Sequence, residues 1–376
     1  MLDSFSPGDE PVPGSVGAFD SLVALGRYRA RACADDVAFV FLKDGETPQG
    51  ELTYAALDLR ARAIGAWLQA RGARGERVVL LYPSGLEFVA AFMGCLYAGA
   101  QAVPVYTPQA RDEHWQRLDA LAADAGARFL LTTSEMRGSV TERVAAAACL
   151  SQLEQCITDQ VADADAALWR DPGAGLGDIA FLQYTSGSTG TPKGVMVSHG
   201  NLLHNQMLMH TAFGNDRDSV FVSWLPLFHD MGLIGNVLHT LYLGARCYLM
   251  APVAFLQQPV RWLRAISTYR GTSSFAPNFA YELCARRVTP EQVADLDLSS
   301  WTFALNGAEP VRAETLRRFS EAFAGCGFSP RAHYPGYGLA EGTLFVSGGE
   351  RGEGARVMEF DASALEAHRA EPVAEG

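Results

Sequence analysis

No C-x-x-C pair occurs among the seven cysteines, Cys33, Cys95, Cys149, Cys156, Cys247, Cys284 and Cys326. The few histidines near them are scattered. That spacing argues against a zinc site and a disulfide framework, and buried free thiols in a reducing compartment are expected instead. The amino terminus lacks a basic segment followed by an apolar one. MLDSFSPGDEPVPG is acidic and rich in Pro and Gly, so residues 1–16 are expected to be a flexible lead-in rather than a signal peptide. The longest apolar stretch, from Val78 to Tyr106, is interrupted by Pro83, Glu87 and glycines. It reads as separate strands and helices, so no membrane span is expected, and a cytoplasmic protein is. Cations are in the minority, 30 Lys and Arg against 42 Asp and Glu, for a net charge of −12. Broad electrostatic binding of nucleic acid or anionic membranes is thereby excluded. A local nest of backbone N–H groups for one anionic ligand is not. No short-period repeat is present.

The 376 residues, 48% hydrophobic and 19% charged, suffice for a large core split into two units. VAFVFL, RVVLLY, QAVPVY and ARFLLTT read as strands. Between them TYAALDLRARAIGAWLQA, LEFVAAFMGCLYAG and HWQRLDALAADAG read as helices. The same alternation resumes at IAFLQYTS and continues through TFALNGAE. It predicts an α/β fold of two subdomains with largely parallel sheets packed together. The expected divisions are a first α/β subdomain over residues 17–158, a linker or crossover over 159–177, and a second α/β subdomain over 178–349 carrying the site. An insertion-like tail over 350–376 follows, with few large apolar residues and no closing core element.

LQYTSGSTGTPKGVMVSHGN, Leu182 to Asn201, concentrates hydroxyls, glycines and one lysine between a strand and a helix capped by Ser198. Glycines let backbone N–H groups converge on one point, hydroxyls add donors, and Lys193 adds a positive charge, a set suited to a polyphosphate. A Walker loop is excluded, because Lys193 lies between Pro192 and Gly194 rather than between Gly and Ser or Thr. A plain polar surface loop is the alternative reading of these residues alone.

Three motifs in order carry a resemblance. YTSGSTGTPKGV is similar to the phosphate-loop signature of the adenylate-forming superfamily. SWLPLFHDMGLIG, Ser223 to Gly235, resembles its histidine-bearing motif, and YPGYGLAEGTL, Tyr334 to Leu344, its Y-G-x-x-E motif. The resemblance covers Phe19 to Gly349. LQYTSGST, HDMGLIG and YGLAEGTLFVSGG look most like the fatty acyl-AMP ligases, while Gly336 and Gly342 depart from commoner residues. The family implies ATP and Mg²⁺ as cofactors. It implies a fatty acid as substrate and an acyl carrier protein as partner, with no nucleic acid. Thr185, Ser186, Gly187, Ser188, Thr189, Gly190 and Lys193 would hold the ATP phosphates. Asn306, Gly307, Ala308, Glu309 and Pro310 would line the adenine pocket with Tyr337 and Gly338. Glu341 would bind the metal. His229, Lys193 and Glu341 would serve catalysis, His229 by steadying the acyl carboxylate or gating the pocket. Ser273, Ser274, Phe275, Ala276, Pro277, Asn278 and Phe279 would wall the acyl tunnel. Core packing explains Phe279 and Tyr281 equally well, and Asp230 is a candidate helix cap.

Relatives in this superfamily carry a later ribose-binding aspartate and a C-terminal domain with a catalytic lysine. Neither falls within the 376 residues, so the chain is expected to be the N-terminal portion, with slow adenylation on its own. A long-chain acyl-CoA ligase and a non-catalytic nucleotide- or acyl-binding module remain open as alternatives.

Overall fold

Apolar residues at period two alternate along this chain with apolar residues at period 3.6, and strands alternate with helices accordingly. The computed structural model describes residues 18–108, 111–185 and 193–373. Its strands are β1 (Val37–Leu42), β2 (Pro48–Thr53), β3 (Arg77–Leu81), β4 (Gln101–Val105), β5 (Ala127–Thr132), β6 (Glu154–Ile157), β7 (Ile179–Thr185), β8 (Lys193–Ser198), β9 (Val220–Ser223), β10 (Arg246–Met250), β11 (Ser273–Pro277), β12 (Phe303–Gly307), β13 (His333–Gly338) and β14 (Phe345–Gly348). One sheet runs β14-β13-β12-β11-β9-β10-β1-β2, the other β6-β5-β3-β4-β7-β8. Antiparallel pairing is confined to the rims, where β2, β8 and β14 attach. The interior pairs are parallel, as the α/β reading expected.

The sheets do not follow the division drawn along the sequence. β1 and β2 come from the first stretch but extend the eight-stranded sheet beside β10. β7 and β8 come from the second stretch but complete the six-stranded sheet beside β4. Parallel neighbours require long crossovers, so sequence proximity does not choose a strand's sheet. Residues 159–177 are likewise more than a linker. The Arg60 guanidinium donates to the carbonyls of Thr158 and Val161 and to the Asp163 carboxylate. Trp169 donates its indole N–H to the Tyr97 carbonyl at 2.8 Å.

The strand pleat divides the core. Val78 and Leu80 of β3 face a large core shared by both sheets, while Val79 and Leu81 face a smaller one on the outer side of the six-stranded sheet. Helix Leu86–Ala98 is buried all round from Phe88 to Ala98 and belongs to the shared core, as its nearly unbroken apolar sequence requires. All seven cysteines are free thiols. Among the described residues, no helix is long and apolar enough to cross a membrane. In the tail, Arg351 donates to the carbonyls of Phe213 and Gly214, and a short helix, Ala362–Glu366, follows.

Candidate functional site

Parallel sheets leave their ligand sites at the carboxyl ends of the strands, where the loops emerge. Here the ends of β12 and β13 come together backbone to backbone. A Cβ on Gly307 would meet the Gly336 carbonyl oxygen at 2.7 Å, and one on Gly338 would meet the Leu344 carbonyl oxygen at 2.0 Å, so both positions require glycine. Ala308 continues the turn at φ +66°. The expected adenine residues Gly307, Ala308, Tyr337 and Gly338 thus fall at one place, and all four line a cavity of about 220 Å³. Glu309 and Pro310 line an adjoining cavity of about 540 Å³ with Ala308, Tyr337 and Gly338. The Glu309 carboxylate accepts the Phe279 N–H at 2.6 Å, at the start of helix Asn278–Arg287. Tyr337 is 61% exposed and lines both cavities, a flat aromatic side chain of the kind that packs on a planar ligand. Asn306 is fully buried behind the turn. Its amide donates weakly to Asn278, and its Oδ1 has no partner among the described residues.

His229 belongs to two cavities. It lines the 220 Å³ cavity and also one of about 330 Å³, whose walls include Tyr106, Arg117, Gln183 and Thr185. Its Nδ1 lies 2.6 Å from Asp230 Oδ1, and this hydrogen bond raises the histidine above its ordinary pKa. Asp230 is not itself the cap position. His229 occupies it, while the Asp230 carboxylate takes the Met231 N–H at 2.6 Å as well as the imidazole. The helix that begins here widens into a π-helical turn, Leu233–Leu238, a deformation often found at functional sites.

Glu341 sits in a single helical turn, Ala340–Gly342. Its side chain is exposed, and no described residue holds it. Two residues on, Thr343 adopts φ 74° and ψ −62°, and Leu344 N–H reaches back to the Gly342 carbonyl at 3.0 Å. This is a strained γ-turn on a nearly buried β-branched residue. Asn205 on helix His199–Phe213 holds it from behind, with its amide on both backbone groups of Phe345. No group of three or more His, Cys, Asp or Glu that could hold a metal occurs among the described residues.

The phosphate loop is seen from its two ends. Thr185 closes β7 and pairs across the ladder with Lys193, the exposed first residue of β8. Ser186, Gly187, Ser188, Thr189 and Gly190 lie outside the described residues. Ser198 caps the following helix with a reciprocal Asn201 contact, as its sequence predicted.

The expected acyl segment is mostly core. The Ser273 hydroxyl accepts from Asn215 at 2.7 Å. Ser274 accepts from the Trp262 indole at 2.8 Å and donates to the Val222 carbonyl. Ala276 is buried, and Pro277 is half-buried at the strand end. Asn278 accepts the Arg312 N–H, and Tyr281 bonds the Leu305 carbonyl. Phe279 is exposed beside Trp224. Of this segment, Phe275 is the residue lining the 220 Å³ cavity among the described residues. β11 is a central strand covered on both faces, and its pleat sends alternate side chains into packing. The rest of the apolar wall comes from Met209, Phe213, Met231, Leu305, Leu344 and Phe345, which sequence reasoning missed. A signal existed for two of them. Met209 and Phe213 stand four residues apart on one helix face.

The AMP-binding enzyme family model matches residues 27–362. A medium-chain-fatty-acid–[acyl-carrier-protein] ligase, JamA of Moorena producens (strain JHB), is 45% identical over 357 residues, 93% of this chain and 60% of the relative. The long-chain-fatty-acid–AMP ligase FadD26 of Mycobacterium tuberculosis (strain ATCC 25618 / H37Rv) is 39% identical over 364 residues, 94% of this chain and 61% of FadD26. The chain therefore spans about 60% of the length of these relatives. A fatty acyl-adenylate ligase from L. pneumophila, solved with acyl adenylate and pyrophosphate, superposes with a TM-score of 0.86 at 40% identity, covering 94% of this chain and 61% of that one. Its match extends the agreement from three motifs to both sheets. On a family match reaching from Arg27 to Ala362, the chain belongs to the AMP-binding enzymes.

Proposed function

We propose that this chain is the nucleotide- and acyl-binding part of a fatty acid–AMP ligase. A fatty carboxylate oxygen attacks the α-phosphorus of ATP and the bond to pyrophosphate breaks; a nucleophile of an acyl carrier protein then attacks the acyl carbonyl of the acyl-adenylate, the acyl–phosphate bond breaks, and AMP leaves. The observation that carries this reading is the 220 Å³ cavity. An apolar wall of Phe275, Leu305, Leu344 and Phe345 lines it together with the Gly307–Ala308 and Gly336–Gly338 turns and His229. A carboxylate whose tail fills that wall lies against whatever the turns hold, and such proximity supplies much of the rate in phosphoryl and nucleotidyl transfer.

In this reading Tyr337 stacks on adenine. The loop from Thr185 to Lys193 cradles the phosphates, and His229, held by Asp230, steadies the acyl carboxylate. Glu341 would hold the Mg²⁺ that accompanies ATP, and the ion would offset phosphate charge as pyrophosphate leaves. One exposed carboxylate suits a cation that keeps its water and substrate oxygens rather than one caged by protein. An ATP-consuming step needs a compartment that supplies ATP, so the cytoplasm is the proposed location. The test is calorimetry with ATP·Mg²⁺ and with acyl sulfamoyl adenosines, inert mimics of the acyl-adenylate, joined to fatty-acid-dependent pyrophosphate exchange. Both ligand types are expected to bind. Failure of every mimic to bind overturns the reading, and thioester formation on coenzyme A in place of the carrier protein reassigns the transfer step.

A further inference from the structure

The 220 Å³ cavity has a wet end and a dry end. His229 and Tyr337 stand exposed at one end, whereas Met209, Phe213 and Phe275 are 0%, 1% and 1% exposed at the other. An acyl chain that reacts at the adenine turns enters from the wet end, so its methyl terminus meets Met209 and Phe213. These two residues share a face of helix His199–Phe213, but they are held differently.

Phe213 is locked in an aromatic cluster. Its ring centroid lies 4.8 Å from those of Phe303 and Phe345, 5.5 Å from Tyr334 and 5.7 Å from Phe275. Its carbonyl takes the Arg351 guanidinium at 2.7 Å. Met209 is an unbranched thioether with three rotatable bonds, the side chain best able to change the shape of a wall without disturbing its neighbours. The floor of the cavity thus combines a fixed aromatic ring with an adaptable stop.

Resting on the proposed ligase reading, we infer that Met209 sets the longest acyl chain this site accepts, and that the site takes medium-chain fatty acids in preference to long-chain ones. The volume supports that class. At ~30 Å³ for each methylene, taken as equal to the volume of a water molecule, the cavity holds at most roughly seven carbons beyond the reacting carboxylate, and fewer where the Gly307–Ala308 and Gly336–Gly338 turns hold the nucleotide. JamA and FadD26, both similar to this chain, are named for medium and long chains respectively, so similarity alone does not choose between them.

The experiment is calorimetric binding of hexanoyl, octanoyl, dodecanoyl and hexadecanoyl sulfamoyl adenosine to the chain and to Met209→Ala, Met209→Leu and Met209→Phe. While the cavity fills, affinity is expected to rise roughly fourfold per methylene. It then falls at least tenfold from octanoyl to hexadecanoyl. Met209→Ala moves the optimum to dodecanoyl or beyond, Met209→Phe moves it back to hexanoyl, and Met209→Leu, close in volume, keeps it at octanoyl. Wild-type affinity for the hexadecanoyl mimic equal to that for the octanoyl one overturns the medium-chain assignment. An optimum that stays put in both Met209→Ala and Met209→Phe overturns the role of Met209 while leaving the ligase reading intact. Should Met209→Ala not fold, the Met209→Phe arm decides alone. No binding of any mimic by the wild type overturns both readings.

Discussion

At the scale of single residues, the proposed chemistry rests on side chains that no described residue pairs. Lys193 and Glu341 are both exposed, and neither is held by a described neighbour. A charge that no described neighbour holds breaks no ion pair among those residues when it turns to a ligand. Lys193→Ala is expected to weaken ATP binding about tenfold or more, as loss of a charge-assisted contact does, with AMP affected far less. Titration calorimetry with both nucleotides checks this, and equal losses for ATP and AMP would remove Lys193 from the phosphates. Glu341→Gln preserves shape but not charge. The Mg²⁺-dependent part of ATP binding should shrink while the melting temperature holds. If titrations with and without Mg²⁺ change alike in both proteins, the metal is held elsewhere. His229 was legible as a site residue from its motif. Its tie to Asp230 was not, because adjacent residues on a chain usually point apart and only the helix start turns both side chains together.

At the scale of elements, the π-helical turn Leu233–Leu238 raises an accounting problem. Widening the helix frees backbone carbonyls inside the core, and buried polar groups need partners. Gln206, fully buried on helix His199–Phe213, donates to the Ile234 carbonyl at 2.9 Å, and its other amide atom accepts from His239 Nδ1 at 2.7 Å. Gln206→Leu strands both groups and should cost on the order of 3 kcal/mol, read as a lowered denaturant midpoint with unchanged slope. A change below ~0.5 kcal/mol, the size typical of neutral surface substitutions, would mean that the helix relaxes out of its π form. The sequence predicted a helix at MGLIGNVLHTLYLG but gave no sign of its widening, which depends on a glutamine from another element.

At the scale of the whole molecule, three buried histidines in distant segments make acid sensitivity a shared property. Burial pushes His199 and His333 down to about 4 and His239 to about 3. Each is a base that the folded state keeps neutral and the unfolded chain protonates near its ordinary 6.5. The folded state therefore binds fewer protons. Stability is full above about pH 6.5 and is lost as pH falls toward 4, at up to about 1.4 kcal/mol per pH unit for each histidine. His199 accepts the Leu22 N–H at 3.2 Å, a bond that an asparagine oxygen can replace. His199→Asn should flatten the fall of melting temperature between pH 6.5 and 4 relative to wild type. Parallel curves for the two proteins would show that His199 is not protonated on unfolding in that range.

Local pattern settled much of this protein. Most strand and helix identities and the Ser198 cap follow from side-chain period and capping chemistry, readable one segment at a time, whereas glycine at 307 and 338 is required by backbone that other segments bring close. Short-range pattern is silent on which strands become neighbours. Hence β1 and β7 joined the sheets opposite to those their positions suggested, through long parallel crossovers that leave no local mark. The acyl wall shows the same limit. The segment after Ser273 resembled a tunnel lining, but a strand covered on both faces commits alternate side chains to packing, and only Phe275 of that run was left for the cavity. Met209 and Phe213 arrived from a helix about sixty residues earlier in the chain. The sequence by itself determined the chemistry on offer: a polar glycine-rich loop, a histidine, a carboxylate and apolar side chains in excess. Tertiary structure decided which of them share a cavity, because burial depends on what every other element covers.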